Sequence, residues 1–337
     1  MNITEFAKCA GVSKSAVSRY FNGGYLADDK KEKIKKAIAE IGYSPTATTQ
    51  SIRPRATHMI GVILPKLSSE SAAKIMEGIT EFLNKKGYEV FLAHTGGNFY
   101  KEIEYLDLFR QNRVDGVILL ASVFTEQHQE MIQKIRIPVV IVGQNFKGYH
   151  CVCHDDMGAA YALTKHMIEN GSQFPGYIGV TTEDRAAGKA RRDGFMKALE
   201  EAEIEIPVEH TAVAAFSIES GYKMAKHILS FAMTPDSLFC ATDSIAAGAM
   251  QYCLEIGMKI PKDMMICGIG DSKIGRITAV PLTTAHFHYV TMGREAARLI
   301  YGLIQKRDST PKIMQLDFQL ELRASTNRKV QENDNIQ

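Results

Sequence analysis

The sequence has no long hydrophobic run. Of its 337 residues 45% are hydrophobic, yet no apolar stretch approaches the roughly 18 residues that a membrane helix requires. The start, MNITEFAKCAGVS, carries two charges and lacks the apolar segment of a secretory signal. We therefore expect a cytoplasmic protein without membrane contact.

The cysteine pattern of a disulfide framework is also lacking. The six cysteines are scattered along the chain, and several of them lie inside apolar runs. In a cytoplasmic protein such residues are more often reduced core thiols than disulfides.

Combinations of side chains typical of catalysis or metal binding are absent too. No Ser-His-Asp set and no paired carboxylates stand out, so we predict neither an enzyme nor a cofactor. CVCHDD at 151–156 brings Cys, His and Asp together without the second ligand pair that a metal site needs. A strand that ends at the N-terminus of a helix explains the two aspartates of this segment.

The charged residues are unevenly distributed along the chain. Residues 1–58 hold ten Lys and Arg against five Asp and Glu, a balance of +5, which leaves −3 for the remainder of a chain whose total is +2. A small basic segment on a slightly acidic body is typical of a nucleic-acid binder. For KKEKIKK alone, a solvated helix face is the simpler interpretation.

The basic segment reads as three short helices. Apolar residues share one face in each of the predicted helices 3–10, 14–21 and 28–41, and Gly11 suits a tight turn between the first two. Two helices joined by a short turn that contains Gly are typical of a helix-turn-helix.

After residue 58 the pattern changes to near-continuous apolar strands that alternate with helices. MIGVIL at 59–64, VDGVILL, PVVIV, GYIGV, SLFCA and MMICGIG are predicted strands. This alternation predicts an α/β fold with two doubly wound parallel sheets. Ligands bind such sheets at the carboxyl ends of the strands, and two sheets facing each other would form a cleft.

Several motifs resemble the lactose-repressor family of bacterial transcription regulators. AGVS, VSR and GYSP occur at that family's spacing in the head, and VDGVIL, HDDMGAA, ARRDGF, ATDSIAAGAM and PLTTAHF agree in the body. The likeness extends from residue 2 to about 325. It implies a homodimeric repressor of a carbohydrate-utilisation operon, with a body like the periplasmic sugar-binding proteins and operator affinity set allosterically by a sugar between two lobes.

The resemblance also implies a domain organisation. The helix-turn-helix domain would cover 1–43, the hinge helix and linker 44–58, the effector-binding core 59–329 and a polar tail 330–337. Within the core, the first lobe would hold 59–157 and 288–316, and the second lobe 158–287 and 317–329.

The second helix of a helix-turn-helix enters the major groove, where its first residues meet base edges. Lys14, Ser15 and Arg19 match the family's base-reading positions, and Lys or Arg can donate to guanine O6 and N7. Phosphate contacts, which set the register, suit Asn2, Ser13, Ser18 and Asn22. An N-cap is the alternative role for Ser13.

SPTATTQSIR at 44–53 is predicted to form a helix of about two turns. Ser44 is a good N-cap and Pro54 ends the helix, but a helix this short is marginal in water. In the family this hinge helix forms on DNA and wedges an apolar side chain into the minor groove. Here Ile52 would be the wedge and Thr49 a further contact.

The family's effector-contacting positions correspond to a set of polar and aromatic residues here. Those positions, with further cleft candidates, are Ser69, Ser71, Ser122, Gln144, Arg185, Arg191, Phe216, Thr242, Asp243 and Asp271. Small and polar residues at 69–72 replace the Asn-Pro-Phe-Phe of many relatives and leave room for a mono- or disaccharide such as sucrose. A surface ion pair for Arg191 and a core position for Phe216 are the alternatives.

Two other functions share this body. An exported solute-binding protein would need a signal peptide and gives no role to residues 1–58, and a sugar-modifying enzyme would need a catalytic set. No pattern of the sequence predicts whether the effector releases the repressor from operator DNA or strengthens its binding there.

Arg19→Ala is the direct test of the DNA-reading helix. We expect the variant to lose its preference for operator over random DNA, because a donor pair to a base edge is removed, and to keep its ligand affinity. Salt-dependent gel shifts with operator and random DNA measure the preference, since phosphate contacts alone leave an affinity that falls steeply with salt. Isothermal titration measures the ligand affinity. Sequence-selective binding by the variant would contradict the assignment.

Overall fold

The structure, a computed structural model, describes residues 3–21, 24–41, 56–121, 123–306 and 310–328. Two units make up the chain, a head of Met1–Thr57 and a body of His58–Gln337. The predicted hinge helix at 44–53 and the tail at 330–337 lie outside the described residues.

The head contains the three predicted helices, α1 (Ile3–Cys9), α2 (Lys14–Phe21) and α3 (Asp28–Ile41). Phe6, Val17 and Ile34, one from each helix, are fully buried in a common core. Gly11 adopts a φ of +64°, as the tight turn after α1 requires. Ile41, at the end of α3, was expected on the inner face but is 41% exposed.

The body is built from strands and helices that alternate along the chain. The strands are β1 (Met59–Leu64), β2 (Glu89–His94), β3 (Gly116–Leu120), β4 (Val139–Val142), β5 (His150–His154), β6 (Pro175–Gly179), β7 (Thr211–Val213), β8 (Ser237–Cys240), β9 (Met265–Ile269), β10 (Thr283–Phe287), β11 (Ile313–Leu316) and β12 (Phe318–Glu321). The helices are α4 (Glu70–Asn84), α5 (Phe99–Gln111), α6 (Glu126–Lys134), α7 (Asp156–Glu169), α8 (Arg191–Glu201), α9 (Ile218–Ile228), α10 (Asp243–Glu255), α11 (Lys273–Ile277) and α12 (Tyr289–Lys306). A π-helical turn at Arg185–Ala190 precedes α8.

Two six-stranded sheets define a first and a second lobe. Their strand orders are β11-β5-β4-β3-β1-β2 and β12-β10-β9-β8-β6-β7. All pairings are parallel except that of β12 with β10, which is antiparallel. The predicted parallel sheets are confirmed, and β12 is the antiparallel exception because this strand enters the second lobe from the edge where its parallel neighbours end.

Alternating side chains place an apolar core on each face of the first sheet. Ile60, Val62 and Leu64 of β1 belong to the cluster shared with α4 and α12, whereas Ile63 packs with Leu106 and Phe109 of α5 on the opposite face. A strand covered by helices on both faces needs apolar residues at every position, and for this reason MIGVIL reads as an unbroken run.

Helices α4 and α12 approach each other at two glycines. A β-carbon at Gly78 would overlap with the backbone carbonyl oxygen of Val290, and one at Gly293 would overlap with the carbonyl oxygen of Ile75. Gly302, further along α12, has open space around the same position. Side chains at the first two positions would therefore push the helices apart.

Among the described residues, no helix is both long and apolar enough to cross a bilayer. All six cysteines are free thiols, and every one except the exposed Cys9 is buried.

Gly78→Ala and Gly302→Ala form a matched pair that tests the close contact. We expect Gly78→Ala to lower the free energy of unfolding by about 1–3 kcal/mol through overpacking. Gly302→Ala should leave it unchanged or raise it by up to about 1 kcal/mol, because Ala favours the helix. Urea denaturation measures both, and equal effects would contradict the close approach of α4 and α12.

Candidate functional site

A cavity of about 840 Å³ lies between the two lobes. Residues at or just after the carboxyl ends of β1 to β10 line it, among them Pro65, His94, Leu120, Thr181 and Ile269. The sequence predicted ligand binding at these strand ends, and the structure brings both sets of ends to one space.

Seven of the ten predicted effector residues line this cavity. They are Ser69, Ser71, Gln144, Arg191, Phe216, Thr242 and Asp243. Arg185 and Asp271 lie outside the lining, and Ser122 lies outside the described residues.

Two of the lining residues cap helices that begin at the cavity. The Ser69 side chain accepts the backbone N–H of Ala72 at the start of α4, over 3.3 Å, and Thr242 caps α10 through Ile245 N, also over 3.3 Å. These hydroxyls can still donate a hydrogen bond, since capping uses only their acceptor capacity.

Asp243 is the first residue of α10 and is 2% exposed. Its carboxylate accepts the Thr284 hydroxyl and the backbone N–H of Ser272, each over 2.6 Å. Burial raises the pKa of Asp243, although these hydrogen bonds oppose the shift. A buried carboxylate in this position favours ligands that donate hydrogen bonds.

Arg191 forms an ion pair with Asp156 of α7, at 2.8 Å from Nε and 2.7 Å from Nη2. Its Nη1 donates to the carbonyl oxygen of Ala241. The sequence offered a surface ion pair as the alternative for Arg191, but this pair is buried, with the two residues 7% and 6% exposed.

Phe216 presents its ring to the cavity and is 42% exposed. The alternative of a core position for this residue was therefore wrong. An exposed ring at a cavity wall can cover an apolar ligand face.

Polar contacts connect the lobes across the cavity. Gln144 of the first lobe donates from Nε2 to Asp184 Oδ1 over 2.8 Å and accepts the Ala186 N–H over 3.2 Å. At the start of α4, Glu70 Oε2 accepts the backbone N–H of Lys273 over 2.9 Å. Hydrogen bonds therefore hold the two lobes together at both of these positions.

Asp184 was not predicted from the sequence, and His154 and Asp156 were predicted only as part of a strand end and a helix start. His154 stacks on Phe287 with ring centroids 4.3 Å apart and planes at 7°. Burial, helped by the positive charge of Arg191, lowers the pKa of His154 to about 3, so the ring is neutral. Their place at the end of β5 and in the loop after β6 was the available signal, because the carboxyl ends of strands in parallel sheets carry sites.

Asp271 lies behind the cavity wall, in a cluster of basic side chains. Its carboxylate accepts from Arg276 over 2.5 Å, Arg323 over 2.6 Å and His286 over 3.0 Å. Burial alone would raise the pKa of Asp271, but these hydrogen bonds outweigh it and hold the pKa well below its usual range.

Arg185 lies in the π-helical turn, with its Cζ 4.9 Å from the ring centroid of Phe146. Phe146 belongs to the loop after β4, so this cation–π contact joins the two lobes beside the cavity.

In the head, the predicted base-reading residues share an exposed surface. Lys14, Ser15 and Arg19 are exposed on α2, while Ala16 and Val17 face the core. Ser13 Oγ accepts the Ala16 N–H over 3.2 Å, which makes Ser13 an N-cap. Asn2, Asn22, Thr49 and Ile52 lie outside the described residues.

Two family models match the chain. Residues 2–46 match the bacterial regulatory proteins of the lacI family, and residues 57–322 match the periplasmic binding proteins and sugar-binding domain of the same family. The sucrose operon repressor of Staphylococcus xylosus is 32% identical over 90% of this chain and 94% of its own length. The transcriptional repressor PurR of Haemophilus influenzae strain PittEE is 31% identical over 91% of this chain and 92% of its own.

Solved structures agree with these relatives, which are transcriptional regulators. A complex of the transcriptional regulator CelR with cellobiose has a TM-score of 0.75 at 25% identity and covers 96% of this chain and 99% of its own. The lac repressor dimer bound to operator has a TM-score of 0.75 at 19% identity, covers 97% and 99%, and supports the fold alone.

Asp271→Asn tests the basic cluster through its pH dependence. We expect a loss of unfolding free energy of about 1–3 kcal/mol at pH 7, because the buried carboxylate of Asp271 loses its charged hydrogen bonds to Arg276 and to the half-buried Arg323. The folded pKa lies below the unfolded value near ~3.9, so the contribution is present above about pH 4 and is lost as the pH falls below it.

The free energy of unfolding, measured by urea denaturation, should therefore differ less between wild type and variant at pH 3 than at pH 7. Asp263→Asn, the same change at an exposed aspartate, serves as the control. A difference that is constant or grows toward low pH would contradict the role of the ionised cluster.

Proposed function

The chain belongs to the LacI family of bacterial regulatory proteins, and we propose that it represses a carbohydrate-utilisation operon under control of a small saccharide. The chain is a DNA-binding transcriptional regulator. In this proposal the saccharide binds between the lobes and sets the affinity of the head for operator DNA. The protein acts in the cytoplasm as a homodimer, and by binding rather than by catalysis.

The cavity between the lobes, in which several polar groups converge on a largely apolar wall, is the observation that carries the proposal. Carboxylates, an amide and hydroxyls meet one exposed aromatic ring in a volume of about 840 Å³. Pockets of roughly 300–1,000 Å³ hold small ligands. Many hydroxyl groups on a ligand could pair with these acceptors and donors while the Phe216 ring covers its apolar face, which suits a mono- or disaccharide.

The proposed effector contacts follow from the lining. Ser69, Ser71 and Gln144 would bind from the first lobe, and Phe216, Thr242 and Asp243 from the second. Arg185 and Asp271 would support the wall from behind, through Phe146 and through the loop that carries Ser272. The proposal includes the domain boundaries after residues 43, 58 and 329, which separate the head, the hinge and linker, the effector-binding core and the tail.

Contacts between the lobes give the proposal a mechanism. A ligand in the cavity must change the balance of hydrogen bonds such as Gln144 to Asp184 and Lys273 to Glu70. The preferred lobe arrangement then changes with it. By linkage, effector and operator alter each other's affinity by the same factor, typically ~1–3 kcal/mol.

Operator selected from random DNA, titrated with sucrose, cellobiose and ribose, tests this function. We expect one sugar to change the operator dissociation constant by roughly 5–150-fold, and operator to change the sugar affinity by that factor. Regulation only by a purine or an amino acid would contradict the proposed effector class.

Phe216→Ala tests the binding surface, with Phe174→Ala as its control. Both rings are similarly exposed, at 42% and 47%, but Phe174 is not among the cavity residues. Loss of the ring contact should weaken sugar binding by about 1 kcal/mol, roughly fivefold. Calorimetric titration measures this, and equal affinities of the two variants would remove Phe216 from the site.

A further inference from the structure

We propose that Asp156 fixes the charge class of the effector, so that the cavity accepts uncharged saccharides and rejects phosphorylated ones. The inference rests on the function proposed above, because it concerns which saccharides bind in the same cavity. Asp156 acts by neutralising Arg191, the most deeply buried cation of the lining.

The guanidinium of Arg191 has protein partners at all three of its nitrogens. Nε and Nη2 lie within 2.8 Å of Asp156 Oδ1, and Nη1 donates to the carbonyl oxygen of Ala241. Arginine binds phosphate through two parallel N–H groups on one edge. In Arg191 the edge formed by Nε and Nη2 already faces a carboxylate, so a ligand phosphate would have to displace Asp156.

The other cations of the lining are similarly engaged. Lys74 Nζ lies 2.8 Å from Glu70 Oε1, and Lys66 donates to the carbonyl oxygen of Phe216 over 3.2 Å. Across the described lining, three Lys and Arg side chains face four Asp and Glu side chains. A phosphate dianion would thus leave water for a wall of net negative charge, and burying a charge without a partner is costly.

Helix N-termini would be the remaining place for an anion, since their backbone N–H groups attract negative charge. Among the helices that begin at the cavity, α4, α7 and α10 each carry a carboxylate at the first residue: Glu70, Asp156 and Asp243. Side chains of Ser69, Asp155 and Thr242 cap the same three ends. The anion positions at these three ends are therefore occupied by the protein itself, and hydroxyl donors are the ligand groups that these carboxylates can still accept.

Calorimetric titration of the full chain with three matched pairs tests the proposal: sucrose and sucrose 6-phosphate, cellobiose and its 6-phosphate, ribose and ribose 5-phosphate. We expect the wild-type protein to bind at least one neutral sugar, and to bind the phosphorylated partner at least tenfold more weakly. Tighter or equal binding of the phosphorylated partner would overturn the inference and leave the proposed function intact. Binding of no member of any pair would overturn the proposed function as well.

Asp156→Asn is the decisive variant, because it frees Arg191 with almost no change in shape. The preference for the neutral partner should fall at least tenfold, and inorganic phosphate should raise the melting temperature of the variant but not of the wild type. Asp155→Asn is the matched control. It makes the same charge change one residue away, outside the cavity lining, and Asn can still cap α7.

Asp156→Asn leaves a buried cation and could destabilise the fold, which thermal melting without ligand would reveal. Glu70→Gln then decides the matter, because it frees Lys74 at a position where both side chains are about 30% exposed. It should shift the preference in the same direction by a smaller factor. An unchanged preference in the folded variants would overturn the role of the paired carboxylates.

Discussion

The direction of the strands is the constraint on which the rest of the structure depends. Within each lobe the parallel strands end at one edge, and the passages after β5, β10 and β11 hold the two edges face to face. Helices start where strands end, so the first residues of α4, α7 and α10 meet in one cavity. Neither lobe contains this site alone, because residues of both lobes line it.

The passages between the lobes share side chains with the cavity. His154 ends β5, Phe287 ends β10, and their stacked rings join two of the three passages. Arg191 lies over the same Phe287 ring, 5.4 Å from its centroid, while it holds Asp156. The cavity wall and the passages between the lobes therefore form one packed cluster. A ligand that moves the wall must also move these passages, and this provides the physical basis for allosteric control of a DNA-binding head.

The charged side chains of the cavity have partners within the protein. Carboxylates stand at helix N-termini, where the helix dipole stabilises them, and each cation of the described lining has an acceptor nearby. Such a surface achieves specificity by excluding anionic ligands as much as by binding neutral ones. In the proposed function, selectivity among neutral sugars depends on the hydroxyl pattern that Asp243, Gln144, Ser69 and Ser71 can accept.

The sequence by itself determined the elements, the three-helix head and the strand ends where a ligand would bind, because apolar spacing and capping residues are local properties. The resemblance to the family, carried by local motifs such as ATDSIAAGAM, marked Asp243 and Phe216 as effector positions. Only the tertiary structure decided the antiparallel β12, the place of Asp271 behind the wall, and the pairing of Arg191 with Asp156, 35 positions away. These features depend on how the chain passes between the lobes, and no local pattern encodes which side chains that passage brings together.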